Sequence, residues 1–244
     1  MKEENKQMAD VMDKPFPLWL MVIMPFYAGG VLALFLFPFA RNWRWFEAWM
    51  LVITFAINVT ISNSIINKKN PRVLRNRMKL KKEGLTSDTR KSAGSDKFIL
   101  PIMSLGLLGA LILPALDQRF KWTSIHLLVE MIGLVIFNIG LILMNTAILQ
   151  NAYASKLLDI NKEQKLVNSG MYAYVRHPLY LGAIVMILAI PIALGSLWGI
   201  IPAVVATLSI LIRIYFEEIM LEKGMEGYTD YKNQVRYKLI PKIY

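Results

Sequence analysis

The sequence predicts an all-α, polytopic membrane protein, and three observations carry that expectation. Of its 244 residues 55% are hydrophobic and only 18% charged, and the mean hydropathy is +0.42, too apolar for an ordinary soluble domain. The apolar residues are bunched into runs near the roughly 20 residues that a helix needs to cross a bilayer. Basic residues gather between alternate pairs of those runs, as the positive-inside rule requires of a multi-span chain.

Four spans read directly from the runs Pro17 to Phe39, Phe46 to Ile66, Phe98 to Leu116 and Ile125 to Leu149. The apolar stretch 179–212 is too long for one span and slightly short for two. Pro191, Gly195 and Ser196 interrupt it, so it predicts a helical hairpin with arms of about 16 residues, each roughly 24 Å long. The count is about six membrane helices. Residues 1–150 form an N-terminal transmembrane region and residues 151–244 a second region containing the hairpin, the two together making one structural domain.

The loop 67–97 carries eleven of the 28 bases against three acids, and placing it inside sets the topology. Alternation then puts both termini inside and leaves only Arg41, Arg44, Arg119 and Lys121 outside. The loop itself reads as a solvated topogenic segment on anionic lipid headgroups. It lacks interleaved aromatics for base stacking, so no nucleic-acid partner is expected despite a net charge of +11. No obligate protein partner is evident, and the N-terminal run predicts no removable signal peptide. Zero cysteines exclude a disulfide scaffold, thiol catalysis and a Cys-ligated metal. No carboxylate–histidine metal constellation, P-loop or dinucleotide fingerprint is present, and no metal is expected. A multi-pass protein, of a microbial plasma membrane by its Lys, Ile, Asn and Met richness, is the expected setting.

Polar residues in an apolar chain need compensation, so they mark the candidate sites. One cluster runs from Gly170 through Arg176, His177, Pro178 and Tyr180 to Gly182. Pro178 suits the first position of a helix, whose N-terminus with Arg176 and His177 would attract an anion. Gly182 would let a ligand approach the backbone. The competing reading is an interfacial anchor of snorkelling Arg and Tyr. The second cluster is Arg213, Glu217 and Glu218. Arg213 and Glu217 lie four apart on one helix face, where the bland expectation is a surface ion pair. A hairpin returns to the side it left, so the two clusters should meet at one mouth. The adjacent glutamates there need a cationic partner, which a cationic ligand would supply. In the fourth span Asn138 and Asn145 are expected to hydrogen-bond between helices, as are Asn58, Ser62 and Asn63 in the second. Glu130 could line a substrate path, and His126 reads as interfacial.

These clusters, with Leu166-Val167-Asn168-Ser169-Gly170-Met171-Tyr172 before them and Gly227-Tyr228-Thr229-Asp230-Tyr231 and Leu239-Ile240-Pro241 after, resemble the isoprenylcysteine carboxyl methyltransferase and phospholipid methyltransferase superfamily. The resemblance covers roughly the last 100 residues. It implies S-adenosylmethionine at the cytoplasmic mouth and a lipophilic acceptor, an isoprenylcysteine-type carboxylate or related lipid, entering from the bilayer. By motif position it assigns Leu166, Val167, Tyr172, His177, Tyr180, Gly182, Glu217 and Glu218 to the cofactor, and Arg176, Arg213 and Glu217 to the acceptor. Membrane sterol reductases, which use NADPH, look similar over the Arg-His-Pro-x-Tyr-x-Gly box, and a non-enzymatic transporter or scaffold is a third class. The paired Glu217-Glu218 favours the cationic cofactor over a phosphate-rich one.

Overall fold

A computed structural model describes residues 14–78, 95–151 and 166–243. Its helices are α1 (Leu18–Ala40), α2 (Phe46–Lys69), α3 (Pro71–Met78), α4 (Asp96–Phe120), α5 (Leu127–Gln150), α6 (Pro178–Ala193), α7 (Ile200–Gly224) and α8 (Tyr228–Gln234), with a 3-10 turn over Gly170–Ala173. No strand occurs among the described residues. Helices α1, α2, α4, α5 and α7 are each long and apolar enough to span a membrane, and α6 is a shorter apolar helix of 16 residues. All four early spans thus form within a few residues of their expected ends. The central part of the basic loop lies outside the described residues, so its reading as a topogenic segment is not addressed. The two hairpin arms are unequal. Helix α6 has the expected 16 residues, but α7 runs for 25 and carries Arg213, Glu217 and Glu218 inside the helix.

The lateral surface is apolar, as contact with lipid requires: Leu18, Phe26, Leu105, Val135 and Ile201 are all exposed. The interior joins Leu36, Phe37, Leu51, Leu134, Phe137, Leu141 and Ile190 into one cluster, and Ala110, Ile187, Ala203, Ala206, Ile210 and Ile214 into another between α4, α6 and α7. With lipid as the solvent, helix association depends on close backbone approach and interhelical hydrogen bonds more than on hydrophobic burial. Both devices are present. A Cβ on Gly140 would fall 2.5 Å from the Met186 backbone nitrogen, and one on Gly106 2.8 Å from that of Ala206. Asn58 Nδ2 donates to Asn138 Oδ1 at 2.7 Å, fastening α2 to α5 as expected for these residues.

The far end of the bundle is closed by a carboxylate that the sequence reading passed over. Asp117, at the end of α4, is buried and accepts from Thr123 N at 2.8 Å, from Thr123 Oγ1, and from Ser196 Oγ at 2.6 Å. It therefore ties the hairpin turn to the α4–α5 loop. Gly195 in that turn has φ +72, and Glu130 fills the space beside it. His126 is more than an interfacial residue: its Nδ1 accepts from Leu128 N at 3.2 Å, capping α5. Trp122 and Trp198 pack edge-on at 6.3 Å at this same end, an aromatic belt of the kind found at membrane interfaces.

Because α5 and α6 touch through backbone at Gly140, Gly140→Val should force them apart. Overpacking of this kind costs about 1–3 kcal/mol, and thermal unfolding in detergent should show the loss, whereas Gly30→Val, which meets nothing within 4 Å, should leave the midpoint unchanged.

Candidate functional site

The hairpin places the two polar clusters together, at the end of the bundle opposite Asp117. Pro178 occupies the first turn of α6, as its missing N–H permits, and His177 is the preceding cap residue. About five turns of α7 return the chain, so that Glu218 arrives beside Arg176 and His177. Arg176 Nε donates to Glu218 Oε1 at 2.6 Å, His177 Nε2 lies 3.2 Å from the same oxygen, and Lys238 Nζ lies 3.4 Å from Oε2. Arg176 and Glu218 are only 6% and 5% exposed. A buried carboxylate is thus matched by three basic side chains, which is what its burial demands.

Three residues expected to meet ligands have partners within the chain. Glu218 does not wait for a cationic ligand, because its charge is already met within the chain. Arg176 does not present its guanidinium to an acceptor: besides Glu218 it donates to the carbonyls of Val235 at 2.6 Å and Arg236 at 2.8 Å. Its backbone N–H and that of His177 donate to the carbonyls of Tyr237 and Lys238 at 3.0 and 2.8 Å. Arg176 is a bolt that fastens the C-terminal segment across the box. Gly182, finally, lies where α6 packs on α5, since a Cβ there would fall 2.5 Å from the Met144 backbone nitrogen.

The expected ion pair within α7 is also replaced. Arg213 turns to Asp96 at the start of α4, with Nε 3.3 Å from Oδ1 and a guanidinium nitrogen 3.4 Å from Oδ2, and both residues are 5% exposed. Asp96 was missed because it stood among the acids of a basic loop; an acid at the first position of an apolar helix was the available signal. Arg213 also sits 5.9 Å from the Tyr180 ring. The Tyr180 hydroxyl donates to Glu217 Oε2 at 2.6 Å. Glu217 is half-buried, and among the described residues no basic side chain forms an ion pair with it.

The rest of the box is built by tyrosines. Tyr172 is buried, its hydroxyl 3.4 Å from the Ala147 carbonyl, and its own carbonyl accepts from the Tyr231 hydroxyl at 2.7 Å. Tyr228, Tyr231 and Val235 form a small core that Leu166 closes. Val167 is half-buried beside it in the chain. Burial pushes the Tyr172 hydroxyl up to about 12, offset in part by the Asn151 side chain and reinforced by Glu217. Tyr228 and Tyr231 are raised by burial as well. No cluster of three or more His, Cys, Asp or Glu suited to a metal ion occurs among the described residues.

Two outcomes follow from this geometry. Arg176→Ala strands Glu218 and loosens the C-terminal segment; removing one partner of a buried pair costs about 3–5 kcal/mol, so the thermal midpoint in detergent should drop by far more than for Arg236→Ala. A raised tyrosine stabilises the fold fully below the unfolded value near 10 and loses that contribution as pH climbs from 10 towards 12. The unfolding midpoint of the wild type should therefore fall over that window, and Tyr172→Phe should make the decline shallower.

Residues 128–226 match the model of the phospholipid methyltransferase family. The matched stretch begins in α5, ends just past α7, and includes Arg176, His177, Tyr180, Arg213, Glu217 and Glu218. The resemblance drawn from the two boxes is borne out by that match. Among solved structures, that of the eukaryotic intramembrane Ras methyltransferase, an isoprenylcysteine carboxyl methyltransferase, is similar at 20% identity with a TM-score of 0.46, covering 93% of this chain and 87% of that one. No curated protein matches the sequence.

Proposed function

From a multi-pass membrane chain of the methyltransferase superfamily, matched over residues 128–226 to the phospholipid methyltransferase family, we propose an S-adenosylmethionine-dependent enzyme that methylates a lipophilic acceptor. An isoprenylcysteine-type carboxylate or a related lipid is the acceptor class. The observation that carries this reading is the contrast between two adjacent carboxylates. Glu218 is engaged by Arg176, His177 and Lys238, whereas among the described residues Glu217 accepts from the Tyr180 hydroxyl and forms no ion pair. A half-buried carboxylate of that kind fits a cationic ligand, whose attraction is strengthened by the low dielectric of the site.

S-adenosylmethionine supplies an electrophilic methyl on a sulfonium, together with an ammonium and a carboxylate. Glu217 would take the cationic end, and the N-terminus of α6 would face the carboxylate. Leu166, Val167, Tyr172, His177 and Tyr180 would supply apolar and hydrogen-bonding walls. Arg213 would aim an acceptor carboxylate, which needs no base. An amine acceptor must lose a proton, which Glu217 would accept. Positive charge disappears from sulfur during transfer, so positioning and water exclusion are the chief contributions of the protein. Residues 151–244 act here as the cofactor-binding region and residues 1–150 as the membrane region that admits the acceptor. The site faces the cytoplasm with both termini.

Calorimetry of the detergent-purified protein with S-adenosylmethionine and with NADPH is the decisive comparison. Binding of S-adenosylmethionine alone is expected, weakened about tenfold or more in Glu217→Gln, a loss of some 1.4 kcal/mol. Binding of NADPH alone would make the protein a reductase, and binding of neither would remove the enzymatic reading. A membrane-impermeant lysine reagent applied to intact cells should spare the loop 67–97; labelling from outside would invert the topology.

A further inference from the structure

Resting on the reading above, we infer that Asp96 is a positioning residue of the site: it holds Arg213 away from Glu217 and so preserves the negative charge that a cationic cosubstrate needs. Asp96 lies on α4, more than 30 residues before the stretch that matches the methyltransferase family, and no motif draws attention to it.

The argument starts from helix geometry. Arg213 and Glu217 are four residues apart on α7, a spacing at which Arg and Glu side chains reach one another. They form no ion pair among the described residues. Arg213 instead reaches Asp96 on the neighbouring helix, at 3.3 and 3.4 Å through two of its nitrogens. Helices α4 and α7 approach closely enough for this because Gly106 and Gly109 of α4 lie against Ala206 and Pro202 of α7. Held there, the guanidinium stands 5.9 Å from the Tyr180 ring, and the Tyr180 hydroxyl, not a cation, takes Glu217 Oε2. Asp96, Arg213, Tyr180 and Glu217 are thus a chain across three helices in which the first member sets the charge seen at the last. Without the Asp96 charge, Arg213 has one nearby carboxylate on its own helix face, and a pair formed there would neutralise Glu217.

The test is calorimetric binding of S-adenosylmethionine to the full-length protein in detergent. Asp96→Asn should bind about tenfold more weakly than wild type, a change equivalent to 1.4 kcal/mol. The double variant Asp96→Asn/Arg213→Gln should recover to within about threefold of wild type, since the competitor for Glu217 is gone. A purely structural Asp96 would instead make the double variant worse than the single. Wild-type affinity in Asp96→Asn, or no recovery in the double variant, overturns the inference. Should Asp96→Asn fail to fold, Asp96→Glu keeps the charge and should bind within about threefold of wild type; a tenfold loss there overturns it equally. If the wild type binds no S-adenosylmethionine, the methyltransferase reading falls while this one is still decided by a ligand-free thermal cycle. Arg213→Gln and Glu217→Gln should then be additive in the wild-type background and couple by several degrees, at least ~2 °C, in the Asp96→Asn background. Additivity in both overturns it.

Discussion

One carboxylate organises the end of the bundle where the two polar clusters meet. Glu218 is buried on a helix that has crossed the membrane, and burying an anion there is tolerable only if cations come with it. Arg176 and Lys238 do so from two other parts of the chain, and His177 Nε2 lies against the same carboxylate. The box before α6, the end of α7 and the C-terminal segment are therefore mutually dependent. Arg176 extends the arrangement by donating to two carbonyls of the segment it faces, which would otherwise be backbone acceptors without partners near an apolar interior. The neighbouring Glu217 differs only in being turned about 100° around the helix. That rotation is enough to move it from the partners of Glu218 to the Tyr180 hydroxyl.

The geometry holds because the helices beneath it cannot slide. Gly140 and Gly182 bring the α5 and α6 backbones into contact at positions where any side chain would collide, and Gly106 and Gly109 do the same for α4 and α7. At the far end Asp117 accepts from Thr123 and Ser196 and so clamps the hairpin turn. The hairpin is pinned at its turn and its first arm is pressed against α5, which fixes where Arg176 and Glu218 emerge. Small residues and hydrogen bonds bear this load because lipid supplies no hydrophobic drive between helices.

Much of this was legible in the sequence, and the reason is the bilayer. A span must be apolar over a nearly fixed length, so α1, α2, α4 and α5 could be placed from composition alone, and the hairpin followed from 34 apolar residues broken near Gly195 and Ser196. The meeting of Arg176 and His177 with Glu218 followed from hairpin parity. What the sequence did not disclose is which charges pair. Spacing suggested Arg213 with Glu217, but the choice of Asp96 depends on the rotation of α4 about its axis, which the backbone contact at Gly106 sets and no local pattern encodes. The contact of Gly182 with α5 was hidden for the same cause: a glycine in an apolar helix is silent about what fills the space beside it. Lys238 and Asp117 were passed over because each is an ordinary residue type in an ordinary place until its neighbours are known.

Sixteen residues make α6 roughly 24 Å long, against a hydrocarbon thickness of about 30 Å. Its register against α5, with Gly182 beside Met144, Gly140 beside Met186 and Gly133 beside Ala193, brings Pro178 close to the C-terminal end of α5 and leaves the shortfall at the opposite end. The hairpin turn fills that depth with irregular backbone, whose polar groups hydrocarbon cannot satisfy. Asp117, accepting from Ser196, is the buried polar partner that makes such a turn tolerable there.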